Sequence, residues 1–511
     1  MKKIFTLLFV AATTCLFAQS TLQKNIYLPA FPNAMLTDVQ PTSDGGYLLT
    51  TTDYDVNFFG IAFITKMDVA AQVQWTKQIS KPNESCVVYT AADKIGGGYY
   101  CLGTVGIPDS MSGSNKFFLS ALDINGNIVW TKTYANASGY AYPYASPKVK
   151  QLPNGDFVLS MNVTESMGIL RIDGNGNLLW GKEFYDDPSK NPSFDALPTP
   201  DGGFISCGKR GSDKMYVKVD GNGAVQWSKI LTDVNYTYNH PKSMTNTSDG
   251  NIISAGMETD NLGSTLGFIM KMDNNGSPLW YKTYSNSAMF YFKEVLELYN
   301  GNLALVGVDG YTSLPVVVIT DANGNTISSN VIGSAFPYDD NFIFRKNSTD
   351  DLILAYQPNG VGICLFKSNW TSMLWCDKNN YTLTVTTVTY APNSSAALTQ
   401  VNSGTQGTNT LTVTSAAANT TNYCASTGIA DANNSSEVNI YPNPTNDVVN
   451  VSVNTTGKMK LCNVLGEEVG NWTLNIGENK IDVSSLAKGV YFYSIADSEG
   501  NSSAGKIVIQ R

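Results

Sequence analysis

A chain of 511 residues is long enough for two or three domains, each with its own core. Forty-four Gly, 27 Tyr and abundant Thr, Asn and Ser favour short strands joined by tight turns. With 33 basic against 42 acidic residues, a net charge of -9 and no cluster of cations beyond Lys2-Lys3, the chain lacks the charge footprint of a nucleic-acid binder.

The first element is a leader. Met1-Lys2-Lys3 is a charged start, Ile4 to Ala12 is an apolar run, and Leu16-Phe17-Ala18 precedes Gln19. This is the build of a secretory signal peptide, residues 1–18, cut after Ala18. A lipoprotein would acylate Cys15, but Ala12-Thr13-Thr14 lacks the aliphatic residue that opens a lipobox. No other stretch holds the ~20 apolar residues of a membrane helix, so none is expected in the mature chain. Seven of the eight Cys lie beyond the cut, in an oxidising compartment, and an odd number leaves at least one thiol unpaired.

Residues 19–376 repeat. Ala121 to Tyr134 reads ALDINGNIVWTKTY, Arg171 to Phe184 RIDGNGNLLWGKEF, Lys218 to Ile230 KVDGNGAVQWSKI and Lys271 to Tyr284 KMDNNGSPLWYKTY. Lys66 to Ile79, KMDVAAQVQWTKQI, keeps the Trp and loses the Asn-Gly turn. Trp75, Trp130, Trp180, Trp227, Trp280, Ile327 and Trp375 recur at intervals of roughly 50 residues. A second turn signature precedes each by some thirty residues, from Asp44-Gly45-Gly46-Tyr47 to Asp350-Asp351-Leu352-Ile353. Asp-Gly and Asn-Gly accept the positive φ of hairpin turns, so each unit holds about four strands and two hairpins. Seven such units predict a seven-bladed β-propeller, with the Trp residues wedged between blades. An open stack or another blade count remains the alternative. Leu22-Gln23-Lys24-Asn25-Ile26 resembles Trp75-Thr76-Lys77-Gln78-Ile79, so the N-terminus is expected to supply the last blade's outer strand and hide its edge.

Residues 377–428 form a small Thr/Ser-rich β segment that still alternates, as in Leu383-Thr384-Val385-Thr386 and Leu411-Thr412-Val413-Thr414. Cys376 and Cys424 bracket it. A disulfide between them would restrain about 48 residues and contribute roughly 4 kcal/mol, the alternative being two thiols. Cys86 and Cys101 flank a turn and are a second, weaker pairing; Cys207, Cys364 and Cys462 read as buried strand residues. A polar linker, 429–436, follows.

Residues 437–511 are strands and turns at close spacing, the pattern of a small Ig-like β-sandwich. They hold Tyr441-Pro442-Asn443-Pro444, the turn Leu465-Gly466, the block Asp482-Val483-Ser484 to Gly489-Val490-Tyr491, and a terminal Lys506-Ile507-Val508. In order, spacing and position this resembles the type A C-terminal sorting domain of the Bacteroidetes type IX secretion system. The resemblance implies export through the periplasm and then through that system's outer-membrane translocon. It further implies removal of the domain by a sortase-like peptidase, followed by surface attachment or release. The cut would fall near Thr427 to Ser436, where polar backbone is accessible. Cys462 departs from the family pattern.

Little catalytic chemistry is visible. The one His, His240, precedes Pro241 and is expected in a loop, which leaves no His-based triad or zinc site. Asp123, Asp173, Asp220 and Asp273 precede turns. Asp123-x-Asn125-x-Asn127 is similar to a calcium loop but has its Gly too early and no Glu at the twelfth place, so turn stabilisation is the simpler role. Ala121-x-Asp123-x-Asn125-Gly126-x-x-x-Trp130 resembles the Trp-docking motif of quinoprotein-type propellers, without a recognisable cofactor pocket; no cofactor or metal site is expected. Asp109-Ser110-Met111 fits the short Bacteroidetes O-glycosylation pattern. The expected function is a secreted or surface binding or adhesion module for a glycan or protein. The alternative is a polysaccharide-degrading hydrolase or lyase with two carboxylates converging near the ring axis.

Overall fold

A computed structural model gives the fold of residues 22–510, apart from 108–114, 136–146, 164–165, 186–192, 233–235, 287–288, 334–336, 359–361, 372–377, 381, 388–398, 403–404, 409–410, 423–438, 464–467 and 498–501. The leader, Asp109-Ser110-Met111, Trp375, Cys376, Cys424, the linker 429–436 and Gly466 therefore lie outside the described residues. The described chain is all-β and divides into two compact units, Met1–Tyr423 and Cys424–Arg511.

In the first unit the described residues form seven antiparallel sheets. The first sheet runs Met35–Pro41, Tyr47–Tyr54, Gly60–Met67 and Val73–Ser80, each strand beside the next. The second (Ser85–Asp93 to Ile128–Ala135), third (Lys148–Gln151 to Leu178–Tyr185), fourth (Ser193–Pro198 to Val225–Leu231), fifth (Tyr236–Asn246 to Pro278–Ser285) and sixth (Phe290–Glu297 to Thr326–Ile332) repeat that order. The seventh takes three strands from Pro337–Lys346, Asp351–Pro358 and Ile363–Asn369, and its fourth is Leu22–Tyr27 from the other end of the unit. Leu22 faces Lys367 in that pairing as Trp75 faces Lys66 in the first sheet, the place the sequence comparison gives it.

Alternation explains the packing. Successive side chains point to opposite sides of a strand, and both sides of these strands are apolar, so each sheet must be covered twice. Ile64 and Ile79 of the first sheet meet Val88 and Phe118 of the second in one buried cluster. Equivalent clusters join each following sheet to the next. The last joins Ile353 and Leu365 of the seventh sheet to Leu36 and Leu49 of the first, so the packing order closes on itself as in propeller-like repeats.

The Thr/Ser-rich segment adds its strands to these sheets from outside. Lys378–Asn380 pairs with the sixth sheet, Thr384–Thr387 with the fifth, Thr399–Asn402 with the third, Thr405–Thr408 with the second, Thr412–Ser415 with the first and Asn419–Asn422 with the seventh. It thus passes the sheets in reverse order. Each strand satisfies the outer backbone edge it covers, and a polar Thr-rich sequence suits a strand with one face to water.

The cysteine pairing across the Gly96 turn does not form. In the register of its hairpin Cys86 faces Val105 and Cys101 faces Ala91, and both are buried free thiols. Cys207 and Cys364 are buried as expected, while Cys462 is only partly so.

The second unit holds two sheets. Asn439–Tyr441, Val448–Val453 and Gly477–Asp482 form one; Glu468–Leu474, Gly457–Cys462, Gly489–Asp497 and Ser502–Ile509 form the other. Val449, Val451 and Ile481 of the first meet Met459, Leu461, Ile495 and Ile507 of the second in one apolar core, which makes the unit a sandwich.

Candidate functional site

Trp75, Trp130, Trp180, Trp227 and Trp280 sit where one sheet meets the turn of the next. Trp75 Nε1 donates to Ile124 O at 3.2 Å, Trp180 Nε1 to Gly221 O at 3.1 Å and Trp227 Nε1 to Asn274 O at 3.0 Å. A Cβ on Gly126 would stand 2.8 Å from the Trp75 ring, and one on Gly176 2.6 Å from Trp130, so these turns need glycine for space as well as for φ. Trp280 lies on Gly324 in the same way. The Lys two residues on joins in: Lys77 Nζ reaches Asn127 Oδ1 at 3.1 Å. Asp123, Asp173, Asp220 and Asp273 spend Oδ1 on two backbone N–H groups each within their turns. In the first sheet Asp68 builds the same turn without Asn-Gly. Ala71 takes the left-handed position there, with φ at 54°, and shares a cluster with Leu22, which is smaller than a Trp.

At the other edge of the sheets the innermost strands surround a cavity of about 1150 Å³, to which all seven sheets contribute lining residues. Five of these strands shift register by one residue, after Leu36, Val88, Ser193, Pro241 and Phe292. Such bulges re-aim the next side chain. The residues beyond the shifts are Asp38, Thr90, Asp195, Ser243 and Glu294, all lining the cavity.

These side chains tie neighbouring sheets together. Thr90, on the neighbouring sheet, helps to offset the burial of the Asp38 carboxylate. Lys148 stands 3.6 Å from Asp195, whose Oδ2 accepts from the Met244 N–H at 2.9 Å. Ser243 Oγ accepts from the Val295 N–H at 3.4 Å. Arg345 closes the sequence, with one nitrogen on Glu294 and the other on Asp38 Oδ1 at 2.8 Å. Burial opposes the Arg345 charge, but the carboxylates of Asp38 and Glu294 outweigh it and hold its pKa above the ordinary value. Asp38 is pushed upward because its desolvation exceeds the help of Arg345.

Four lysines also line the cavity: Lys148, Lys150, Lys242 and Lys293. Lys148 and Lys150 are two apart on one strand and share its cavity side. Burial lowers the pKa of Lys150, which makes no hydrogen bond or salt bridge among the described residues. Lys242 lies over the Phe194 ring at 4.9 Å and Lys293 over Phe342 at 4.6 Å. Tyr89, Tyr100, Tyr238 and Tyr291 complete an aromatic lining.

His240 is in this cavity and not in a loop. It belongs to strand Tyr236–Asn246, is 5% exposed, and packs on Tyr238 with ring centroids 4.0 Å apart. Pro241 is tolerated because the strand is the innermost of its sheet and has one hydrogen-bonded neighbour only. Burial, then the charges of Lys242 and Lys209, lower the His240 pKa to about 3, so the ring is neutral at pH 7. Its Nε2 is buried without a hydrogen-bond partner. No signal in the sequence marked these groups, since their meeting depends on strands some fifty residues apart. Among the described residues no cluster of three or more His, Cys, Asp or Glu could hold a metal.

The described residues expected to form the sorting motif come together in the second unit. Asn443 Nδ2 donates to Lys506 O at 2.6 Å and its Oδ1 accepts from the Val508 N–H at 2.8 Å. Tyr441, beside Pro442, donates to Glu478 Oε1 at 2.9 Å. Past Pro444, Thr445 pairs through its backbone with the same terminal strand. Gly489 opens that strand's partner, on which Tyr491 hydroxyl donates to Ala487 O at 2.8 Å. The opening and closing residues of the segment are thus one structural feature.

Fold and tail together define an exported all-β protein: a propeller-like unit carrying a sandwich-shaped sorting tail. Residues 439–510 match the family described as "Secretion system C-terminal sorting domain". The tail is the sorting domain of type IX secretion, and it marks the chain for export to the cell surface or the medium. No curated protein matches the chain. Among solved structures, similarity extends to the CNH domain of AfRom2, at 12% identity over 68% of this chain and 98% of that one, with a TM-score of 0.41. A protein of unknown function from Bacteroides caccae is 16% identical, over 52% and 89% of the two chains, with a TM-score of 0.33. A mutant of the NanB sialidase from Streptococcus pneumoniae is 9% identical, over 67% and 69%, with a TM-score of 0.34. No helix among the described residues is long and apolar enough to cross a membrane.

Proposed function

We propose that this is a non-enzymatic binding or adhesion module of the Bacteroidetes cell surface. Its seven sheets are the seven blades of a closed propeller, and its ligand, a glycan or protein, enters the central cavity. The leader would be removed after Ala18, and a sortase-like peptidase would cut in the spacer before residue 437. The carrying observation is the state of the cavity carboxylates. A hydrolase or lyase acting through paired carboxylates needs two that can reach a substrate. Asp38 and Glu294 share one guanidinium, and Asp195 is held by Lys148 and two backbone N–H groups. All three serve to join neighbouring sheets. Lys150, which makes no hydrogen bond or salt bridge among the described residues, faces the space beside a set of aromatic rings, and such a lining suits recognition.

The test is a glycan and protein-ligand array probed with the purified full chain, followed by product analysis on every polysaccharide bound. Binding without chain shortening supports the module. Shortening that is abolished by Asp38→Asn, with the melting temperature kept, would establish the enzyme in its place.

A further inference from the structure

The sandwich of the sorting tail has two outer faces, and they differ. On its first sheet Val449, Val451 and Ile481 point into the core, so the alternate residues point out. In register these are Val448 opposite Asp482, Asn450 opposite Lys480 and Ser452 opposite Glu478. That surface is mostly polar, with charges of both signs. On the second sheet Leu461, Tyr491, Ile495 and Ile507 fill the core, and their strands turn the alternate residues outward. Val490 lies opposite Val508, and Phe492 stands between Cys462 and Lys506. Phe492 is 51% exposed and Val490 39%. Three lysines share this face: Lys458, Lys460 and Lys506. Lys460 pairs with Glu468 at 3.2 Å, whereas Lys458 and Lys506 make no ion pair among the described residues. Asn443 grips the backbone of Lys506 and Val508, which fixes the strand and leaves the Lys506 side chain exposed.

We propose that the outer face of this second sheet, with Val490, Phe492, Val508 and Lys506 at its centre, is the surface by which the type IX secretion machinery takes hold of the tail. The occupant is a protein of that machinery, with an apolar pocket for Phe492 and carboxylates on its rim for the lysines. A sorting domain acts by being recognised, so one of its surfaces must be complementary to the machinery. A mixed polar face like that of the first sheet resembles the solvated surface of any protein and discriminates little. An exposed aromatic ring between aliphatic neighbours is the usual anchor of an interface. Unpaired cations around it, on a chain of net charge -9, add a local sign that an acidic partner reads. The inference rests on the family of the tail and is independent of what the propeller-like unit binds.

Export of the full chain by a Bacteroidetes strain with type IX secretion tests it, read by fractionation and immunoblotting. The melting temperature of each purified full-length variant is measured alongside. Phe492→Ser and Lys506→Glu should each lower the amount of chain at the surface and in the medium at least about tenfold, with the melting temperature kept. Lys506→Arg, which keeps the charge, should be exported normally. Lys480→Glu, the same reversal on the outer face of the first sheet, should change nothing. Normal export of both Phe492→Ser and Lys506→Glu overturns the proposal. An equal loss with Lys480→Glu also overturns it, because net charge and not a face would then be read. Light scattering addresses a second copy as the occupant: a dimer that Phe492→Ser turns into a monomer, with export kept, overturns the proposal in favour of self-association. A chain exported without residues 439–511 would remove the role of the tail itself, whereas failure of the face variants alone leaves that role standing.

Discussion

At the residue scale, His240 shows how much a neighbourhood changes a side chain. Followed by proline, it looks like a loop residue; held on an inner strand, it is desolvated and kept neutral beside two lysines. The unfolded chain takes up this proton near pH 6.5, the native ring only near pH 3. The unfolded state therefore binds more protons between those limits, and stability must fall as pH falls through that window. The expected slope from this one group is at most about 1.4 kcal/mol per pH unit below pH 6. Denaturation midpoints from pH 7 to 5 should show it, and His240→Gln should flatten the profile. An unchanged slope in the variant would show that another group carries it. Other buried ions are structural: Lys214 and Glu258, both fully buried, pair at 2.9 Å, and Asn239 Oδ1 also accepts from Lys214 Nζ. Nothing in the local sequence distinguished these two from the surface charges of other strands.

At the element scale, the recurring hairpin was legible because its chemistry is local. Asp sets the turn through its own backbone, Gly supplies the positive φ, and Trp follows at fixed distance in the next strand. What the Trp meets was not legible, because it is the following sheet's turn. The close approach there makes a sharp prediction. Gly176→Ala must strain a φ of 82° and drive a methyl against Trp130, costing about 2–4 kcal/mol. Urea denaturation followed by tryptophan fluorescence measures this. A loss below about 0.5 kcal/mol would mean that the ring and turn separate easily. The first sheet already carries the alanine version, Ala71, beside Leu22 rather than Trp. There the smaller partner leaves room for the methyl. The strands of the Thr/Ser-rich segment were visible through alternation, whereas their destination on six different sheets was not, since a Thr-rich edge strand fits any outer edge equally.

At the scale of the whole molecule, the two units answer different questions. The sorting tail states where the protein goes, and its motif residues converge only when the sandwich forms, with Asn443 gripping the strand that holds Lys506. Deleting residues 439–511 should leave the chain inside the cell envelope, seen by fractionation and immunoblotting. A truncated chain still reaching the medium would remove the tail's role. Asn443→Ala should weaken export in proportion to the loss of its two hydrogen bonds, each worth about 1 kcal/mol.

The sequence by itself determined the repeat, the all-β class, the strand that Leu22 begins for the last sheet, and the identity of the tail. All of these follow from spacing along the chain, which folding preserves. Only the tertiary structure decided the character of the cavity. Asp38, Lys150, Asp195, His240, Glu294 and Arg345 come from different repeats, and bulges absent from any sequence pattern turn several of them toward one space. The physical reason is that each repeat contributes a single inner strand, so the site exists only where the sheets meet.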